Sequence, residues 1–383
     1  MMYECLNDTL YGMRTSAIRE FSALARKTPG CIALTLGEPD FDTPMEIEQE
    51  VDQAFENHET HYIANAGSLS LREKIASFEN EYYGHAWNSG NVLVTSGAEE
   101  GLFLSLFSLL NPGDEVIIPE PAFLVYEEIT KLCRGVPVLL DTSEDGFQIS
   151  REKLNALISG KTKAIVLNTP NNPTGCLLSK ESLDAVHDAV KGKDIFVISD
   201  DVYRQLIYTD HCPSIMDYED IKDQCILVQS FSKPYAMTGW RMGYVCGDPY
   251  LIEKMTLLHQ YMMTSTPAPV QRAAEHALDV SPKPFLKEYE RRRAYVLEQL
   301  EEMKLPAVEP MGAFYVFPDI SRYGLPSMMF CTKMVQSAGL AVTPGIAFHG
   351  EGHVRISYCA DMDTLKEGMK RLKKFLSTLE ERR

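Results

Sequence analysis

No stretch of this chain approaches the roughly 20 uninterrupted apolar residues that a membrane-spanning helix needs. Residues 1–8 lack a basic patch followed by an apolar core, so no secretion signal is legible. No Cys-x-x-Cys pair occurs, and the nine cysteines form an odd set scattered from Cys5 to Cys359. Such a set fits no closed disulfide framework. Reduced, mostly buried thiols in a cytoplasm are the expectation. Basic charge is scarce: 37 Lys and Arg against 54 Asp and Glu give a formal net charge of −17. A surface of that sign repels phosphate backbones, so no nucleic-acid partner is expected. It still leaves room for a local basic pocket that takes a small anion. There is no internal repeat and no low-complexity linker.

What is present is an ordinary globular composition, 45% hydrophobic and 24% charged over 383 residues. That length exceeds one simple core and points to two domains. Short Val- and Ile-rich runs at 92–95, 115–118, 164–168, 195–199 and 226–229 read as buried strands. Helical patterns at 99–110 and 180–190 lie between them. This alternation predicts an α/β fold, a mainly parallel sheet sandwiched by helices. In such sheets ligands bind at the carboxyl ends of the strands. From Ser281 the texture changes. Ser281-Pro282 is expected to cap a long charged helix to about Met303, followed by the run 312–317, a helix near 328–337, a strand at 354–358 and a last helix at about 363–379. The expected division is therefore a large domain over 44–280 and a smaller α+β domain over 281–383, with residues 1–43 packing on the latter.

The residues with chemistry follow the predicted strands. Lys233 lies in Ser230-Phe231-Ser232-Lys233-Pro234-Tyr235-Ala236-Met237-Thr238-Gly239-Trp240-Arg241. A lysine among small hydroxyl residues, with an arginine downstream, suits an amine that binds an aldehyde and a neighbour that holds a phosphate. Pyridoxal phosphate carries both groups and forms a Schiff base with lysine. Thr95-Ser96-Gly97-Ala98-Glu99-Glu100 joins a strand to a helix, where free N–H groups make an anion site or a plain acidic cap. Asn168-Thr169-Pro170-Asn171-Asn172-Pro173-Thr174-Gly175 is a tight loop after a strand, and an Asn amide there can donate to a phenolate oxygen. Asp200-Asp201-Val202-Tyr203 ends another strand, and one carboxylate can pair with a protonated pyridine nitrogen while Tyr203 donates to the ring oxygen. Spacing alone leaves open which Asp points inward, and a solvated acidic turn is the alternative. Arg355, in Val354-Arg355-Ile356-Ser357, must meet an anion if buried, either an internal carboxylate or that of a substrate. His349-Gly350-Glu351-Gly352-His353 is not expected to bind metal, because two glycines make it a turn and a fourth ligand is lacking.

In order along nearly the whole chain, these segments resemble the class I/II aminotransferases of the fold-type I pyridoxal phosphate superfamily, in their aspartate and aromatic branch. Leu36-Gly37-Glu38-Pro39-Asp40-Phe41-Asp42-Thr43-Pro44 is similar to the family's N-terminal signature, and His61-Tyr62 with Asn65-Ala66-Gly67 to its early tyrosine segment. The resemblance implies that Lys233 anchors the pyridoxal 5′-phosphate aldehyde and then shuttles the proton. Asp200, rather than Asp201, pairs with the ring nitrogen. Tyr203 and Asn172 hold the ring oxygen, and Phe123 stacks on the ring. Gly97, Ala98, Glu99, Ser230, Ser232 and Arg241 surround the phosphate. Arg355 holds the substrate α-carboxylate, assisted by Gly37 and Asn172. Tyr62 reaches the phosphate of a neighbouring subunit, so a homodimer with shared sites is implied.

The implied activity is ping-pong transfer of an α-amino group to a 2-oxo acid, with 2-oxoglutarate the expected acceptor. Some aspartate-specific relatives carry a lysine where Glu99 stands here, and 119–123 and 312–317 look closer to branches taking aromatic or other neutral donors. The run Ser16-Ala17-Ile18-Arg19-Glu20-Phe21 is shared by several branches. A carbon–sulfur β-lyase on the same scaffold would need the same Lys233, Asp200 and Arg355. A non-catalytic ligand-sensing regulator would carry a DNA-binding domain ahead of the fold, for which no room is expected before Gly37, and the acidic charge opposes it.

Overall fold

Strands flanked by apolar neighbours on both sides need cover on both faces, and the fold supplies it. The structure is a computed structural model and describes residues 7–11, 13 and 17–380. Cys5 and Ser16 lie outside the described residues. Seven strands make the large sheet: β1 (Val92–Thr95), β2 (Glu115–Glu120), β3 (Val136–Asp141), β4 (Thr162–Asn168), β5 (Phe196–Asp200), β6 (Cys225–Ser230) and β7 (Gly243–Cys246). Their order is β1-β7-β6-β5-β4-β2-β3. Strands β2 to β6 pair in parallel, and β7 runs antiparallel between β1 and β6. Alternation then divides each strand between two cores. Val92, Val94, Ile117, Ile165 and Leu227 join Leu71 and Ile75 of the helix Leu69–Tyr83. Leu93, Val116, Val166, Ile226 and Val228 join Leu102 and Leu106 of the helix Ala98–Leu109.

A second sheet has three antiparallel strands, β8 (Tyr315–Val316), β9 (Thr343–Pro344) and β10 (Val354–Ser357), in the order β9-β10-β8. The helices Lys283–Glu302, Ser327–Ala338 and Met362–Glu380 bury Val296, Phe330 and Leu372 against it. Phe21, Ala25 and Leu34 enter the same core, and Ile32–Ala33 pairs in parallel with Leu340–Ala341. Tyr203 and Leu206, from the loop after β5, also pack here, so that loop ties the two cores together.

Several expectations shift. β3 and β7 are strands that the apolar runs did not disclose. β3 carries Pro137 and is the sheet edge, where a missing N–H is tolerated. The helix after Ser281 begins at Lys283 with Pro282 as its cap residue, and Ser281 Oγ accepts the Lys283 N–H at 3.4 Å from one residue outside the cap. β5 runs one residue further than expected, which makes Asp200 its last residue. Asp200 and Asp201 are both buried, which rules out the solvated acidic turn.

Candidate active site

The carboxyl ends of β4, β5 and β6 deliver Asn168, Asp200 and Ser230 to one edge of the large sheet. There they line one pocket with Gly37, Ala98, Glu99, Phe123, Asn172, Tyr203, Ser232, Lys233, Arg241 and Arg355. Residues from both ends of the chain thus converge on the edge where parallel sheets bind ligands. Gly97 stands just behind, as the cap of the helix Ala98–Leu109. Tyr62 does not join them. It is 88% exposed and borders a different cavity with Glu59, His61 and Arg272.

Lys233 follows β6 and donates from Nζ to the Gly37 carbonyl at 2.6 Å. Burial pushes its ammonium down to about 8, the main cause being desolvation of the charge. Asp200 is driven the other way, to about 7, again by desolvation, with a hydrogen bond from Tyr126 opposing the rise. Its Oδ2 accepts the Tyr126 hydroxyl at 2.7 Å. Asp201 faces away from the pocket, accepting from Ser199 at 2.6 Å and from the Tyr83 hydroxyl. The geometry therefore distinguishes the two adjacent carboxylates.

At one end of the pocket sits the start of the helix Ala98–Leu109, whose first N–H groups have no intrahelical acceptor. Gly97 has φ +78°, and a Cβ there would fall 2.6 Å from Nη2 of Arg241, so both conformation and space call for glycine. Ser230 Oγ accepts the Ser232 N–H at 3.0 Å. Arg241 itself is held in a left-handed conformation, φ +54°, with Nη2 3.9 Å from Glu99. Two hydroxyls, a guanidinium and a helix start make an anion cup.

At the other end Arg355 rises from β10 and is 2% exposed. Nη1 donates to Asn172 Oδ1 at 2.8 Å and Nη2 to the Thr35 carbonyl. The guanidinium lies 4.5 Å from the Tyr315 ring centre and 4.8 Å from that of Phe348. Its partners are neutral: no carboxylate pairs with it among the described residues, and its Nε is buried without a partner. The internal salt bridge considered for Arg355 is therefore absent among those residues.

His349, Glu351 and His353 turn to separate partners. His349 Nε2 meets Glu127 at 2.7 Å, Glu351 accepts from Ser327, and His353 stacks on Phe317 with ring centres 4.9 Å apart.

Sequence reasoning did not single out Tyr126 or Tyr315, nor the side chain of Asn168. Tyr315 donates to or accepts from Tyr203 at 2.8 Å between hydroxyls. Asn168 Nδ2 donates to the Asp200 carbonyl and its Oδ1 accepts the Asn172 N–H, both at 2.8 Å. The available signal was position: Tyr126 follows Phe123 by one helical turn, and Tyr315 lies in the 312–317 run. Also unforeseen was the buried pair Arg204–Glu79, bidentate at 2.6 and 2.8 Å, which braces the loop carrying Tyr203.

The sequence profile of the family described as Aminotransferase class I and II matches residues 29–372. An aspartate aminotransferase of Pyrococcus horikoshii is 40% identical over 95% of this chain and 95% of its own length. An aromatic-amino-acid aminotransferase 2 of Thermococcus litoralis is 38% identical over 97% of this chain and 98% of its own. Among solved structures, the aspartate aminotransferase of Thermus thermophilus with maleate superimposes with a TM-score of 0.92, at 33% identity, covering 97% of this chain and 99% of that one. A full-length likeness in sequence and fold, around a pocket with a lysine, a strand-end aspartate and a buried arginine, has one reading: the chain belongs to the class I and II aminotransferase family and is an aminotransferase.

Proposed function

We propose that the pocket holds pyridoxal 5′-phosphate and that the chain moves an α-amino group from an amino acid to a 2-oxo acid, with 2-oxoglutarate as acceptor. The observation that carries this reading is Arg355, a buried guanidinium with only neutral partners in the pocket that also contains Lys233. A buried cation is costly until an anion joins it. Both substrates of a transamination bring an α-carboxylate.

The donor set fits the cofactor. The anion cup suits its phosphate, and the glycine space at Gly97 and the hydroxyls of Ser230 and Ser232 lie at that end. When bound, pyridoxal phosphate supplies an aldehyde carbon for the amine and a ring that draws electrons from the Cα–H bond. Lys233 would hold the aldehyde and would also serve as the general base that takes the proton from the donor's Cα. An amine titrating at about 8 keeps a useful neutral fraction near neutral pH. Asp200 would pair with the ring nitrogen, Tyr203 and Asn172 would hold the ring oxygen, and Phe123 would stack on the ring. The N–H groups at Ala98 and Glu99, with Ser230, Ser232 and Arg241, would hold the phosphate. Gly37 and Asn172 assist Arg355.

Glu99 places a negative charge beside Arg241 at the rim, which favours aromatic or neutral donors over those with a second carboxylate. Tyr62 and Tyr261, 88% and 81% exposed, support burial against a second copy that shares its site. The division proposed is a cofactor-binding unit over 44–280 and a smaller unit from 281, on which the N-terminal segment packs through Phe21, Ala25 and Leu34. Eight free cysteines among the described residues support a reducing, cytoplasmic setting.

One preparation tests this. Donors are screened with 2-oxoglutarate by the glutamate formed, and particle mass is measured by light scattering. Turnover with an aromatic donor, its loss in Lys233→Ala and a dimer mass are expected. Normal turnover in the alanine variant would remove Lys233 from the chemistry, and a monomer mass would remove the shared site.

A further inference from the structure

Asp200 brings two carboxylate oxygens to the pocket, and the chain engages them unequally. Oδ2 accepts the Tyr126 hydroxyl at 2.7 Å, whereas Oδ1 has only a long contact, 3.4 Å, with the N–H of Val202. Tyr126 is buried and rides the first turn of the helix Val125–Leu132. Its N–H donates to the Phe123 carbonyl at 3.3 Å, and the two rings meet edge to face with centres 6.2 Å apart. One turn of chain therefore supplies both the ring assigned to the cofactor's face and a hydroxyl on the carboxylate assigned to its nitrogen. From the β4 side, Asn168 Nδ2 holds the Asp200 carbonyl at 2.8 Å. Backbone and Oδ2 are fixed, and Oδ1 is the oxygen left to meet a ligand.

Resting on the cofactor reading above, we infer that Tyr126 is a positioning residue for transamination: its hydroxyl fixes Oδ2 of Asp200 and favours the carboxylate, so that Oδ1 meets the ring nitrogen and that nitrogen keeps its proton. A buried phenol needs a partner for its O–H, and donation to a carboxylate is a strong use of it. Burial pushes the Tyr126 hydroxyl well above its ordinary range, so it stays a donor throughout the working pH. Burial, Asp201 and Glu99 all push the Asp200 carboxyl upward; the Tyr126 hydrogen bond and the Val202 N–H act against them.

The test follows the carboxyl directly. In the cofactor-free chain, the infrared band of protonated Asp200 is identified as the band lost in Asp200→Asn, and its midpoint is followed with pH. Tyr126→Phe is expected to raise that midpoint by about one unit or more, the worth of a hydrogen bond to a charged group. A fluorinated tyrosine at 126, a stronger donor, is expected to lower it. A residue that only fills space would not move the midpoint in opposite directions. Loaded with pyridoxal phosphate labelled with nitrogen-15, the phenylalanine variant should shift the ring-nitrogen resonance toward its unprotonated position. Unchanged midpoints in both variants overturn the inference. Failure of the chain to take up the cofactor overturns the cofactor reading instead, and the two failures are separable. If Tyr126→Phe does not fold, the fluorinated variant alone decides.

Discussion

Arg355 shows what it takes to hold a charge out of water without an opposite charge beside it. Its guanidinium is desolvated between Tyr315 and Phe348, and burial lowers its pKa from the ordinary arginine range. Neutral partners on Nη1 and Nη2 hold its plane without cancelling its charge, which leaves the charge for a ligand. Removing it should therefore affect substrate more than fold. Arg355→Ala is expected to weaken α-carboxylate binding by about 2–5 kcal/mol, as for a lost buried charge pair. Titration of the protein with a non-reactive carboxylate analogue measures this, and an unchanged affinity would return Arg355 to a structural role. Arg355→Lys should rescue little, because an ammonium cannot reproduce the planar fork.

At the scale of elements, the cup depends on how closely β7 approaches the start of the helix Ala98–Leu109. A Cβ on Gly243 would stand 2.7 Å from the Gln229 carbonyl oxygen and 2.9 Å from the Ala98 nitrogen, and backbone cannot step aside as a flexible side chain can. Gly243→Ala is expected to cost about 1–3 kcal/mol in denaturant unfolding, the range for overpacking, and to loosen phosphate binding. Gly239 lies shortly before β7 in the 3-10 turn Thr238–Trp240 with nothing within 4 Å of its would-be Cβ, so Gly239→Ala should be nearly neutral. Equal costs at the two positions would refute the close-packing account.

Legibility from sequence follows the same physics. β2, β4, β5 and β6 were readable because strands buried on both faces are nearly unbroken apolar runs, and Asp200 stood out as a carboxylate at such a strand's end. β3 was hidden by Pro137 and its half-exposed edge position, and β7 because it opens on Gly243 and carries only one β-branched residue, Val245. Tyr126 was unreadable as a site residue because a tyrosine on an amphipathic helix looks like core until a carboxylate is seen against its hydroxyl. Arg355 was readable as a buried cation, but its neutral partners lie in distant segments that local pattern cannot join to it.

For the whole molecule, the site carries two opposed penalties. With Asp200 raised from 3.8 to about 7, the folded state keeps a proton that the unfolded chain has lost. Its contribution to stability therefore falls as pH rises from about 4 to about 7. With Lys233 lowered from 10.5 to about 8, the unfolded chain holds the proton longer, and stability rises as pH climbs through that interval. Urea unfolding of the cofactor-free protein against pH should show Asp200→Asn gaining most over the parent above pH about 7, and Lys233→Met gaining most below about 8. Parallel curves for parent and variants would mean that neither group is desolvated as described.

The bonds around the pocket also bear on how the protein is made. Lys233 meets a carbonyl 196 residues away in sequence, and Arg355 one 320 residues away. Contacts of such separation form late, after most of the chain has left the ribosome. In a growing chain Lys233 is present well before Arg355. Synthesis would then complete the pocket in two stages, with the Lys233 end available before the Arg355 end.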